Sequence, residues 1–227
     1  MTARLVRPER NMSYATGGVD VVLKSILRDV QFGTYLDVGA NHPIDLSNTY
    51  LFYENGWSGF AIDGNSEYIQ TWNDLRPRDI FFNEVVSDVR KNIKFEIFPE
   101  PTMSTIDVST RDRYRKKFEN NSNSIIEMES TTIFDIYEES IKKEVHLLNI
   151  DIEGEEMNAL MGANLSVFRP GVICIEIKNL SVHNLGGNDI FNYLVEHGYR
   201  MITKTPLDSI FVDLDKSYLS WVPPGIA

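Results

Sequence analysis

The stretch "YLDVGANHPIDLSNTY", Tyr35 to Tyr50, decides how the rest of this chain is read. A short apolar run carrying an acid passes straight into glycine, an amide, an imidazole and a proline. Gly39 lets a ligand approach the backbone closely, and the amides after it face the start of the next helix. A pyrophosphate site needs Gly-x-Gly-x-x-Gly at such a join. Here "GANHPI" supplies only the first glycine, with Asn41 and Ile44 at the other two places.

Outward from this join, strands and helices alternate. Upstream, 19–30 has Val22, Leu23, Ile26, Leu27 and Val30 at helical spacing. Downstream, 58–63, 79–88, 92–98, 145–151 and 171–177 read as strands, and 46–56, 66–75, 131–140, 154–162 and 188–198 as helices. Residues 199–205 and 208–214 form two strands in succession, which must pair antiparallel. The fold class is therefore α/β: one mostly parallel sheet with an antiparallel C-terminal strand pair and helices on both faces. Residues 1–18 read as a polar arm, and 19–227 as a single domain with a polar insertion at about 99–124.

Composition narrows the function. The 227 residues carry 22 Lys+Arg and 33 Asp+Glu, a net charge of -11, which repels phosphate backbones and argues against nucleic acid. The basic run "RDRYRKKF" (111–118) reads as a solvated helix face, with recruitment of an anionic substrate as its second reading. Cys174 is the only cysteine and sits in the apolar run "GVICIEI" as a small buried filler. With neither an apolar signal core nor a membrane-length apolar run, the expected location is cytoplasmic.

In a sheet of this kind, ligands bind outside the carboxyl ends of the strands. Those ends are Asp37-Val38-Gly39-Ala40-Asn41-His42, Asp63-Gly64-Asn65, Ser87-Asp88, "NIDIEGEE" (149–156) and Glu176-Ile177-Lys178. Five polar ends along one edge mark a functional edge. Asp37 would repel a pyrophosphate yet could accept from an ammonium. Asp63 lies 24 residues past Gly39, about where an acid grips ribose hydroxyls. An ammonium and a ribose describe S-adenosyl-L-methionine better than NAD or FAD.

"YLDVGANHPIDLSNTYLFYENGWSGFAID", with "EVVSD", "LLNIDIEGEEMNALMG" and "GVICIEI", resembles the FkbM-type methyltransferases over roughly Val19 to Leu214. The resemblance implies a class I methyltransferase fold, S-adenosyl-L-methionine as donor and a hydroxyl acceptor on a sugar or secondary metabolite. It places Asp37, Gly39, Ala40 and Asn41 at the methionine end, Asp63 and Gly64 at the ribose, and Val86, Ser87 and Asp88 at the adenine. Pro43 stands where relatives often have glycine, and Asp63-Gly64 where Glu-Pro is common, so the ribose acid is kept.

An alcohol acceptor benefits from a base as its proton leaves. Asp151 and Glu153, at the end of the strand 145–151, are the leading catalytic candidates, and Glu153 equally reads as a helix cap. His42 and His183 are further candidates for base or substrate contact, whereas His146 and His197 read as structural. Asp151, Glu153 and Glu176 could share a divalent cation, but no ligand spacing compels one, and no metal is expected. The expected partner is a small-molecule or glycan acceptor. The other readings are an NAD-type oxidoreductase, disfavoured by the missing glycines, and a catalytically silent binding module on the same fold.

Overall fold

A computed structural model describes residues 12–100, 103–118, 124–178 and 180–223. The chain forms α1 (Val19–Ile26), β1 (Thr34–Val38), α2 (Tyr50–Glu54), β2 (Ser58–Ile62), α3 (Tyr68–Leu75), β3 (Ile80–Phe82), β4 (Val85–Val86), β5 (Asn92–Ile97) and α4 (Val108–Lys117). There follow β6 (Ser124–Thr131), α5 (Ile133–Ile136), β7 (Leu147–Ile150), α6 (Glu156–Met161), β8 (Val172–Glu176), α7 (Asp189–Glu196), β9 (Arg200–Lys204) and β10 (Asp208–Val212).

The main sheet runs β3-β2-β1-β7-β8-β10-β9, parallel throughout except for β10, which lies antiparallel between β8 and β9. Its central strands are buried on both faces, so successive residues serve two cores. Leu36, Leu148 and Ile173 join Ile133, Leu160 and Leu194 of α5, α6 and α7 on one side. Tyr35, Leu147 and Val172 join Leu23 of α1 and Phe52 of α2 on the other. This two-sided burial is the reason the central strands read as near-continuous apolar runs.

The expected third strand, 79–88, is two strands in two sheets. β3 extends the main sheet, whereas β4 pairs parallel with β6 in a second sheet ordered β4-β6-β5. The break falls at Asn83, whose Nδ2 donates to the Asp63 carbonyl at 3.0 Å and turns the chain out of the ladder. A single sheet was expected, and apolar alternation does not report which neighbour a strand pairs with.

The helices are shorter than their apolar spacing suggests. The one expected over 46–56 starts only at Tyr50, because the Ser47 hydroxyl accepts from the Tyr50 and Thr49 amides and competes with the first turn. The segment expected as helical over 131–140 is α-helical for only four residues and then winds as a π turn, Tyr137–Ile141.

The expected insertion at 99–124 contains α4; its residues 101–102 and 119–123, and residues 1–11 of the expected arm, lie outside the described residues. The basic face of α4 is not simply solvated: Arg115 forms a two-pronged pair with Glu96, at 2.9 and 2.6 Å, and Glu96 is buried. The end of the arm is pinned by Asp20, which accepts from the Ser13 hydroxyl and the Tyr14 amide, both at 2.7 Å. Among the described residues no helix is long and apolar enough to cross a membrane.

Candidate active site

Two adjoining cavities open along the carboxyl edge of the main sheet. The first, about 520 Å³ and open to solvent, is bordered by Gly39, Asn41, Asp63 and Gly64 after β1 and β2. Glu84, Val85 and Val86 close it on another side, and Ser104 to Ile106 of the insertion also reach it. At its centre Asp63 accepts from the Asn41 amide at 3.0 Å and from the Asn65 amide at 2.8 Å, one on each carboxylate oxygen. Burial raises its pKa to about 6 against these two bonds.

The glycines here are required by packing. Gly39 has φ +80°, and a Cβ on it would lie 1.9 Å from the Asp151 carbonyl oxygen. The space it frees is thus filled by the turn after β7, which brings the two strand ends into contact. A Cβ on Gly64 would meet Val85 at 2.6 Å and Phe95 at 2.9 Å, so this glycine lets the small sheet close against the Asp63 turn.

The second cavity, about 840 Å³, shares Gly39, Asn41, Asp151 and Glu153 with the first. Asp37 borders it, but its carboxylate is already engaged within the chain. Oδ2 accepts from the Thr49 hydroxyl at 2.6 Å and Oδ1 from Asn149 Nδ2 at 2.8 Å. Ala40 also borders this cavity, and Thr16 of the arm reaches it.

Asp151 stands at the boundary of both cavities and has no hydrogen bond to its side chain among the described residues. Burial first, then Glu176, Glu153, Asp208 and Glu156, push its pKa well above the usual carboxylate value. Glu153 has φ +54°, uncommon for a residue with a side chain. Its carboxylate takes Tyr114 Oη and Lys178 Nζ, each at 2.5 Å, and Thr105 Oγ1 donates to its carbonyl at 2.8 Å. It does not cap α6, whose N-cap position is Glu155 and carries no side-chain cap bond; Glu156 accepts instead from the amide of Gly154, ahead of the helix, at 3.0 Å. Lys178 Nζ also lies 3.0 Å from Glu176 Oε2, and these carboxylates raise its pKa despite burial. Carboxylate oxygens of Asp151, Glu153 and Glu176 lie within 4.8 Å of one another, a set able to hold a cation.

Four expected residues are placed elsewhere. His42 borders neither cavity; its Nδ1 accepts from the Asp45 amide at 2.9 Å and the Ile44 amide at 3.3 Å, which makes it a turn cap. His183 is exposed on the loop after β8 and borders neither cavity. Ser87 is fully buried with its hydroxyl donating to Asp88, and Asp88 pairs with Lys91 at 2.7 Å; of the segment 86–88 only Val86 borders the first cavity.

Other site residues were not anticipated. Arg76 is fully buried, pairs with Asp79 at 2.7 Å and donates to the Pro43 carbonyl and to Thr49 Oγ1, both at 3.1 Å. It thereby fixes the loop that carries Asn41 and the hydroxyl that holds Asp37. Its one sequence signal is an Asp three residues on in "RPRD". Asn149, Tyr114 and Asp208 gave no local signal, since their roles depend on partners 112, 39 and 32 residues away respectively, counting Asp208 from Glu176.

The order of the main sheet, with one antiparallel strand next to its last position, defines a class I methyltransferase fold. The FkbM methyltransferase domain matches residues 37–201, and the chain belongs to this family. Among solved structures, the chain is similar to the precorrin-6y C5,15-methyltransferase of Geobacter metallireducens GS-15. The two share 13% identity, with 89% of this chain and 92% of the other covered and a TM-score of 0.41. No curated protein matches it.

Proposed function

We propose that this chain is an S-adenosyl-L-methionine-dependent O-methyltransferase whose acceptor is a hydroxyl on a carbohydrate-like small molecule, glycan or secondary metabolite. One observation carries the reading: Asp151, a carboxylate with raised proton affinity and no internal partner, stands where the two cavities meet. A group that takes a proton from an acceptor belongs at such a boundary between donor and acceptor.

The first cavity fits the cofactor on donor chemistry. Asp63 spends one lone pair of each oxygen on a backbone amide and keeps others for ribose hydroxyls. Glu84, Val85, Val86 and Phe95 offer a mainly apolar wall for a base. When bound, S-adenosyl-L-methionine supplies a methyl group already activated on a sulfonium. The protein's part is then positioning and proton transfer. Asp151 accepts the hydroxyl proton on a carboxylate oxygen, made more basic by burial among other acids. Glu153, gripped by Tyr114 and Lys178, fixes the turn on which Asp151 sits.

Calorimetry with S-adenosylhomocysteine tests the cofactor reading, with NAD as the control for an oxidoreductase. Binding of the former alone is expected, and NAD binding in its place would overturn the proposal. A methyl-transfer assay on hydroxylated acceptors then separates an enzyme from a silent binding module.

A further inference from the structure

The second cavity is bordered by Asp37, Gly39, Ala40 and Asn41, the residues expected at the methionine end of S-adenosyl-L-methionine. That end is a zwitterion. Its ammonium has acids to meet on this wall, Asp151 and Glu176 among them. Its carboxylate has no Lys, Arg or His among the described residues that border the cavity. The amides of the glycine turn are spent as well. Those of Gly39 and Ala40 donate to the Ile62 carbonyl at 2.9 and 3.0 Å, and that of Asn41 donates to Asp63. Most bordering side chains that can donate already do so within the chain. Asn48 donates to Asn149 and Asn149 to Asp37, while the Ser47 hydroxyl faces that of Thr49, itself bonded to Asp37. Asn41 has its Oδ1 on the His42 amide, which leaves Nδ2 as a donor. Among the described residues, Asn41 Nδ2 and Thr16 Oγ1 are the side-chain donors of this wall with no acceptor in the chain.

Thr16 is held at the cavity by the bonds of the arm around it. The fully buried Asp20 carboxylate accepts from the Ser13 hydroxyl and from the amides of Tyr14 and Ala15, at 2.7, 2.7 and 3.4 Å. The Tyr14 ring packs edge-on against Tyr50, with 4.7 Å between centroids. Gly17 and Gly18, at φ +68° and +75°, then carry the chain into α1. A Cβ on either would meet nothing closer than 3.8 Å, so glycine serves the backbone turn there and not packing. We propose that Thr16 is a cofactor-binding residue: its hydroxyl, together with Asn41 Nδ2, donates to the methionine carboxylate of the donor, and the arm thereby covers that end of the site. This rests on the methyltransferase reading and adds the arm to its donor site. Hydrogen bonds from neutral donors to a carboxylate are charge-assisted, so two of them can hold it where no cation stands. The cavity, about 840 Å³, is larger than this short tail fills, which leaves room for the acceptor beside Asp151.

The test is calorimetry on the full chain with three ligands that differ only at the methionine end. S-adenosylhomocysteine has the whole amino-acid end, S-adenosyl-3-thiopropylamine lacks the carboxylate but keeps the ammonium, and 5′-methylthioadenosine lacks both. Thr16→Val keeps the shape of the side chain and removes the donor. It should weaken S-adenosylhomocysteine about tenfold, the worth of one charge-assisted bond, and leave the two ligands without a carboxylate within about twofold of wild type. Unchanged binding of those two also reports that the variant is folded. Thr16→Ser restores the hydroxyl and should return S-adenosylhomocysteine to within about twofold of wild type. In the wild-type protein, hydrogen exchange at the Tyr14 and Ala15 amides should slow on adding S-adenosylhomocysteine and not on adding 5′-methylthioadenosine. Undiminished S-adenosylhomocysteine affinity in Thr16→Val, an equal loss for all three ligands, no rescue by Thr16→Ser, or arm exchange indifferent to the ligand would each overturn the proposal. Failure of the wild-type protein to bind S-adenosylhomocysteine would instead strike the methyltransferase reading beneath it.

Discussion

The Arg76 cluster, fully buried, and the Asp151 cluster, only partly so, are both ionic, yet they are built in opposite ways. Arg76 is fully enclosed, and its guanidinium is spent on Asp79, Pro43, Thr49 and Tyr35 while stacking 4.3 Å over Trp72. Every charge there has an opposite charge or a hydrogen-bond donor, and the result is a fixed loop. Around Asp151, Glu153, Glu176 and Asp208 the acids outnumber the cations, with Lys178 alone bridging two of them. A closed network stabilises one conformation, whereas an open one keeps charge in reserve for a ligand.

The sharpest way to break this comparison is Arg76→Met. Removing one partner of a buried pair strands Asp79 and should cost about 3–5 kcal/mol of stability in urea unfolding. A loss below about 1 kcal/mol would show that the Arg76 network is not the clamp it is taken for.

Asp151→Asn should leave folding and S-adenosylhomocysteine affinity nearly unchanged while methyl transfer falls roughly 10²–10⁴-fold. Since burial and neighbouring acids raise the Asp151 pKa, wild-type turnover should climb with pH as this carboxyl ionises, and the variant should lose that limb. Wild-type turnover in the variant at saturating acceptor would remove Asp151 from the proton-transfer role.

Asp63→Ala tests the donor side of the comparison. It should weaken S-adenosylhomocysteine by about 1.5–3 kcal/mol, the worth of a hydrogen bond to a charged group. With a pKa of about 6, Asp63 is protonated as pH drops through 6 and then accepts less well, so wild-type affinity should decline there. For the protein without ligand the linkage runs the other way. A pKa raised above the unfolded value of about 3.9 gives stability that is present below 3.9 and lost as pH rises through about 6. Calorimetry across pH 5 to 8 reads the first effect; a flat affinity would place the ribose elsewhere.

Tyr114→Phe is the smallest change. It removes the hydroxyl donated to Glu153 but keeps the ring against Phe98, and should cost about 0.5–1.5 kcal/mol. Faster hydrogen exchange confined to α4 and the turn after β7 would sharpen the picture of the insertion braced on Glu153, and unchanged exchange would refute it.

Much of the frame is legible locally. The apolar runs at 34–38, 145–151 and 171–177, with helical spacing between them, dictate a parallel α/β sheet, because strand and helix periodicity is written in adjacent residues. The acids that end those runs follow in turn, since strand ends in such a sheet share one edge. What tertiary structure alone decided is which of these groups meet and which do not. His42 reads as a candidate base beside Gly39, but the amides of Ile44 and Asp45 claim its Nδ1. Ser87 and Asp88 read as a strand end, but after the turn at Asn83 that strand pairs in a second sheet, and neither residue borders the cavity. Glu176 and Asp208 are 32 residues apart, and Arg76 and Thr49 are 27 residues apart. Their encounters are set by strand register and core packing, long-range effects that no local period encodes.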